Sequence, residues 1–290
     1  MSNLQKIVAL SLVVAFVFLA GCVRQQKETE YGNGVVIKEL SVEPNVIESL
    51  ENAQVVVTLV VQNLGEMDAK DVKATLLGLT DEWKISGDRE KNIGDLYAAK
   101  PSLGIPEGEQ SVITWTLTVP SGKLTKTTYP FSVKLTYDYS TVVEGLVRAV
   151  SFGYYRRTKE SGGIKSFSYT AGPLKISAKV PSAIFSTGSK REIPIIFEIE
   201  NVGGGRTYID DEQKGLDKIK VKIDSTSTSI RCSNTEAYLA NGQKGLVSCT
   251  IEVPESTVDY ADVGFKVTFE YNYLLEKPGA VTVLPSLVAS

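Results

Sequence analysis

Gly108 to Tyr139 reads GEQSVITWTLTVPSGKLTKTTYPFSVKLTYDY, and Gly242 to Tyr273 reads GQKGLVSCTIEVPESTVDYADVGFKVTFEYNY. The second stretch repeats the first without a gap, at an offset of 134 from residue 108 to residue 242. Val119-Pro120, Phe131, Val133, Tyr137 and Tyr139 recur as Val253-Pro254, Phe265, Val267, Tyr271 and Tyr273. Upstream, VTLVVQNLG ending at Gly65 is echoed by IIFEIENVG ending at Gly203. Self-similarity between two stretches of one chain marks a duplicated structural unit.

Each copy alternates with period two. Phe131, Val133, Leu135, Tyr137 and Tyr139 fall on one face, with Ser132, Lys134, Thr136 and Asp138 on the other. Such alternation predicts a half-buried strand of an antiparallel sheet. Ile113, Trp115, Leu117 and Val119 alternate likewise, and Ser121-Gly122-Lys123 after Pro120 supplies the turn to the next strand. Val247, Cys249, Ile251 and Val253 take the same inward positions in the second copy, so that Cys249 stands where the first copy has Trp115. Short alternating strands separated by Gly, Pro, Asn and Asp turns predict an all-β chain of two tandem immunoglobulin-like antiparallel β-sandwiches.

The two Asn-x-Gly turns, Asn63-Leu64-Gly65 and Asn201-Val202-Gly203, are followed by strands at Asp71 to Leu76 and Lys218 to Ile223, and later by the Val-Pro signature. This pattern resembles the CARDB-type and related Ig-like domains common in archaeal surface and S-layer-associated proteins. The resemblance implies a fold and a surface location, and no activity.

The N-terminus carries the address. Lys6 is followed by Ile7 to Leu19, thirteen residues with only Ser11 polar, and then by Ala20-Gly21-Cys22. A basic residue, a short apolar run and small residues at a cleavage point are the parts of a signal peptide, and the run is shorter than the about 20 apolar residues of a membrane span. Leu19-Ala20-Gly21-Cys22 looks like a lipobox, with Cys22 as the lipid attachment site; an uncleaved signal anchor is the alternative. Either way the bulk of the chain is expected on the extracytoplasmic face of the membrane. The expected order is a signal peptide over 1–22, forming a hydrophobic leader helix, a polar tether over 23–34, one sandwich over 35–160, a linker over 161–173 and a second sandwich over 174–290.

Composition narrows the function. The 290 residues hold 31 basic and 34 acidic side chains, so no basic field gathers nucleic acid. Histidine is absent, which removes Ser-His-Asp and Cys-His catalysis and any His-based zinc site. An enzyme would need carboxylate chemistry, and the repeat singles out no carboxylate pair. With Cys22 set aside, Cys232 and Cys249 remain as a pair, for which an exported chain favours a disulfide over two free buried thiols.

Two further clusters are candidates. Asp210, Asp211 and Glu212 could offer hard oxygen ligands to calcium, yet adjacent residues of an extended loop point apart and no calcium-loop spacing is present. Tyr154, Tyr155, Arg156 and Arg157 carry residue types that anchor interfaces; they are equally suited to a final strand of the first domain packed on the second. The resulting expectation is a non-enzymatic, membrane-anchored surface module without cofactor, whose partner is an envelope protein or a glycan. A lipid-anchored solute- or glycan-binding subunit, using a cleft between the domains near Tyr154 to Lys165, is the alternative.

Overall fold

A computed structural model describes residues 33–100, 106–181, 183–185, 191–224, 229–254 and 259–286. Cys22, the leader helix and all of the tether but Asn33 and Gly34 lie outside the described residues. The described chain is β-sheet almost throughout.

The first half contains β1 (Val35–Glu43), β2 (Val46–Glu48), β3 (Gln54–Asn63), β4 (Ala69–Leu77), β5 (Lys84–Ile85), β6 (Glu90–Leu96), β7 (Gln110–Thr118) and β8 (Thr127–Ser151). A short helix, α1 (Phe152–Thr158), follows. The second half contains β9 (Gly163–Tyr169), β10 (Leu174–Lys179), β11 (Ile184–Phe185), β12 (Glu192–Asn201), β13 (Arg206–Tyr208), β14 (Lys218–Ile223), β15 (Ile230–Cys232), β16 (Glu236–Tyr238), β17 (Lys244–Glu252) and β18 (Tyr260–Leu284).

The duplication read from the sequence is present in three dimensions. Each half builds a four-stranded antiparallel sheet of the same order, β1-β3-β7-β5 in the first and β10-β12-β17-β15 in the second. Register agrees as well: Val57 pairs with Trp115 in one sheet, and Ile195 with Cys249 in the other. Val119, Val253, Tyr137 and Tyr271 are buried at matching positions.

The halves are nevertheless not separate domains. β8 and β18 are each 25 residues long, twice what one sandwich needs, and they pair antiparallel without a break from Val150–Tyr260 to Thr127–Val283. They form the centre of one ten-stranded sheet running through both halves, with the path β16-β14-β18-β8-β4-β6. Alternate residues of both long strands are buried along nearly their whole length, from Phe131 to Ala149 and from Val263 to Val283. Both small sheets therefore pack on the same face of the large one, and a single apolar cluster spans Val35 to Val283. The opposite face is open to solvent.

Three expectations are corrected here. The division into 35–160 and 174–290 gives way to a shared sheet, because the distal half of each long strand is paired by the other half of the chain. Two small parallel pairings show the exchange: Val46 of β2 lies beside Thr282 of β18, and Ile184 of β11 beside Val150 of β8. The expected linker over 161–173 is mostly strand: Gly162 and Gly163, at φ +73° and +124°, turn the chain back so that β9 pairs with β8 from Arg148 to Val143. The expected final strand at Tyr154 to Arg157 is helix instead. Ser151 caps it by accepting the Tyr154 N–H at 3.1 Å, and Lys159, left-handed at φ +62°, ends it with an N–H to the Tyr155 carbonyl at 2.7 Å.

Candidate functional site

Equivalent residues of β8 and β18 differ by 134, and paired residues sum to 410, as in Val150–Tyr260. One pair satisfies both relations: Asp138 lies opposite Asn272, its own counterpart 134 positions later. An internal two-fold axis therefore passes through this pair. The Asn272 amide donates to the Asp138 carboxylate. Burial raises the Asp138 pKa above the ordinary aspartate value, partly offset by that amide, with the nearby Asp71 carboxylate adding to the rise.

Four tyrosines surround the axis on the buried side. Tyr137 meets Tyr273 at 5.7 Å between ring centres and 45°, and Tyr139 meets Tyr271 at 6.1 Å and 46°. The hydrogen bonds accepted by the Tyr139 and Tyr273 hydroxyls follow the same symmetry, whereas those they donate do not. The Tyr139 hydroxyl accepts the Met67 N–H at 3.1 Å and donates to the Ala171 carbonyl at 3.2 Å. The Tyr273 hydroxyl accepts the Gly205 N–H at 2.9 Å and donates to the Asn201 side-chain oxygen at 2.6 Å. Burial pushes Tyr139 and Tyr273 up to about 12 and also lifts Tyr137 and Tyr271 well above the ordinary tyrosine value.

The Asn-x-Gly turns close over these rings. Asn63 donates to the Met67 and Leu96 carbonyls, each at 2.9 Å; Asn201 donates to Gly205 and Gly242, each at 2.8 Å. A Cβ on Gly65 would run into the Tyr139 hydroxyl, and one on Gly203 would stand 2.5 Å from that of Tyr273. Glycine is required at both for that close approach, which explains why the repeat keeps it.

On the solvent side a groove of about 490 Å³ crosses the axis, lined by Asp68, Lys70, Asp138, Asp210, Lys220 and Glu270 among others. Its charges are largely neutralised within the chain. Lys70 pairs with Asp95 at 2.7 Å, Lys100 with Asp68 at 2.8 Å, Lys220 with Asp210 at 2.6 Å and Lys222 with Glu270 at 2.6 Å. Burial by itself would raise Asp68, but Lys100 and the Ala98 N–H hold it below the ordinary aspartate value.

The structure separates the remaining candidates. Cys232 and Cys249 lie opposite each other on β15 and β17 and are disulfide-bonded. Asp210, Asp211 and Glu212 turn to three different partners: Lys220, the Gln213 and Lys214 N–H groups at 2.9 and 3.1 Å, and Lys134 at 3.0 Å. They do not converge, and among the described residues no group of three acids or cysteines is placed to hold a metal. On α1, Tyr154 packs on Tyr260 at 5.5 Å and donates to Glu160 at 3.2 Å, Arg157 pairs with Asp259 at 2.5 Å, and Arg156 lies 5.9 Å from the Phe152 ring. The segment from Tyr154 to Lys165, expected to border a cleft, runs from α1 into β9, which pairs with β8 in the shared sheet. The axis pair itself escaped the sequence reading, although the offset of 134 and the flanking tyrosines point to position 138.

A family model described as "Domain of unknown function (DUF8453)" matches residues 6–160, more than half of the chain. The chain belongs to this family. The DUF8453 match ends just beyond α1, so it includes the whole of β8, whose distal half is paired only by strands beyond residue 160. No curated protein sequence matches the chain. Solved structures with partial likeness include an envelope protein of White Spot Syndrome Virus, VP37 (12% identity, 48% of this chain, 98% of that one, TM-score 0.24). Others are the secreted serine protease VesC of Vibrio cholerae (9%, 81% of this chain, 49% of that one, TM-score 0.23) and the D0-D1 domain of intimin (10%, 79% and 90%, TM-score 0.21). The chain thus spans about half the length of the protease.

Proposed function

We propose that this member of the DUF8453 family is a non-enzymatic surface module, attached to the outer face of the cell membrane through lipidated Cys22. Its role is to hold a long, stiff β-surface outside the cell, where an envelope protein or glycan engages it. The observation that carries this reading is the uninterrupted pairing of β8 with β18. Two sandwiches on a flexible linker could close around a solute; two sandwiches sharing a sheet and one core cannot hinge at that point, because opening would break the ladder and expose the tyrosines. The leader ending at Cys22 supplies the address, and the disulfide suits an oxidising exterior.

The test is fractionation of the native protein beside Cys22→Ser, followed by chemical cross-linking on intact cells and identification of what is captured. Membrane retention lost in the variant, with one reproducible envelope component captured by the parent, is the expected result. Unchanged retention with normal leader cleavage would refute lipid attachment.

A further inference from the structure

The internal two-fold supplies a control for reading exposed positions. The halves agree at the tyrosines of the axis, while at exposed positions folding leaves the residue open and the halves can diverge. One such difference lies on the outer face of the second small sheet. Two rows cross three strands there: Ser177, Glu198 and Leu246 in one, Lys175, Glu200 and Lys244 in the next. The matching rows of the first half are Glu39, Val60 and Val112, and Val36, Gln62 and Gln110.

These residues floor a groove of about 560 Å³, with Tyr238 of β16 in its lining. That volume falls within the roughly 300–1,000 Å³ of small-ligand sites. Tyr238, 60% exposed, and Leu246, 66% exposed, both line the groove. Gly245 lets β16 cross close, since a Cβ there would stand 2.8 Å from the Tyr238 carbonyl oxygen. Two lysines balance two glutamates in the groove, with Lys244 3.4 Å from Glu200, and Ser177 is 3.4 Å from Glu198. Lys179, at 2.5 Å, also engages Glu198 from the rim.

We propose that this groove binds a neutral glycan chain. A pyranose ring has a flat apolar C–H face and a rim of hydroxyls. Tyr238 and Leu246 offer the apolar surface that such a face packs on, while Glu198 and Glu200 accept from hydroxyls and Lys175, Lys244 and Ser177 donate to them. Glu198 and Glu200 within the groove disfavour an anionic chain, and Lys175, Lys244 and the rim Lys179 disfavour a cationic one, which leaves a neutral ligand. An added peptide strand would pair with the backbone along the edge of β10, whereas the groove floor is the side-chain face of β10, β12 and β17. The inference rests on the surface location proposed above and names the partner class.

The experiment is titration of the full-length protein in detergent with cellohexaose, maltohexaose and mannohexaose, followed by calorimetry and by the amide spectra of residues 175–200 and 238–246. At least one hexasaccharide should bind saturably and shift these amides. Tyr238→Ala should then weaken binding by about tenfold or more, Tyr238→Phe should keep it within about threefold, and Glu198→Gln should weaken it, while Val112→Ala in the first half leaves it unchanged. Failure of all three sugars, or binding indifferent to Tyr238→Ala and Glu198→Gln in correctly folded variants, overturns the proposal. Because membrane retention is scored separately through Cys22, a negative result here leaves the anchoring reading standing.

Discussion

Asp138 and Asn272 occupy the same position in the two halves of the chain, and they face each other across the axis that relates those halves. Identical copies would put two carboxylates there. The amide at 272 instead donates to the carboxylate at 138, so the single difference at the axis favours pairing of the first half with the second over pairing of two first halves.

Asn272→Asp should therefore destabilise the protein at pH 7. Like charges directly opposite on a sheet cost on the order of 0.2–1 kcal/mol. Asp138 already titrates above its ordinary value, and a second carboxylate raises the pair further, so the penalty should fade as pH drops through that range and protonation removes the repulsion. Melting temperatures of variant and parent at pH 7 and pH 4 measure this. A penalty equal at both pH values would exclude a charge origin.

Gly65→Ala and Gly203→Ala should be comparably damaging, because each would drive a methyl group onto a tyrosine hydroxyl on opposite sides of the axis. Overpacking of this kind costs about 1–3 kcal/mol. The denaturant midpoints of the two variants should fall together, and Tyr139→Phe should relieve part of the Gly65→Ala loss.

Alkaline pH should unfold the protein through the same ring cluster. A tyrosine whose folded pKa lies above its unfolded value contributes stability that is intact below the unfolded value near 10 and is lost as pH rises past it. Burial raises Tyr139 and Tyr273 to about 12, and raises Tyr137 and Tyr271 well above the ordinary tyrosine value. Stability should thus drop steeply between pH 10 and 12, with phenolate absorbance and loss of β-sheet circular dichroism appearing together.

The sandwich strands were legible in the sequence because a face buried on one side enforces period two, and Trp115 and Cys249 sit inward as that alternation requires. The Asn-x-Gly turns were legible because glycine there is a steric necessity. The shared sheet was not. Its cause is the pairing of residues 140–151 with residues more than a hundred positions away, and local alternation is the same whichever partner a strand finds. Gly145 and Pro278-Gly279 lie within continuous strands. Pro278 is tolerated because the backbone of its even-numbered neighbours points away from β8: the Thr282 N–H donates to the Asn45 carbonyl on the outer edge. The helix α1, seven residues long, is too short for helical periodicity to show in the sequence.

Reduction of Cys232–Cys249 should lower the stability of the whole described body and not of the second half alone. A bridge closing 17 residues constrains the unfolded chain by roughly 3 kcal/mol in loop-entropy terms. With one core common to both halves, protease sensitivity should rise in residues 54–63 as well as in residues 192–201 when the protein is reduced. Protection unchanged in the first half would show that the halves unfold independently.

Scanning calorimetry of Trp115→Ala addresses the single core most directly. Trp115 is fully buried in the first small sheet, and its indole N–H donates to the Arg89 carbonyl at 3.1 Å, so truncation should cost about 3–5 kcal/mol. For a body of this size that corresponds to a fall of roughly 6–20 °C. A shared sheet and core predict one endotherm, displaced downward as a whole, with calorimetric and van't Hoff enthalpies in agreement. Two endotherms, one displaced and the other at the parent temperature, would contradict it.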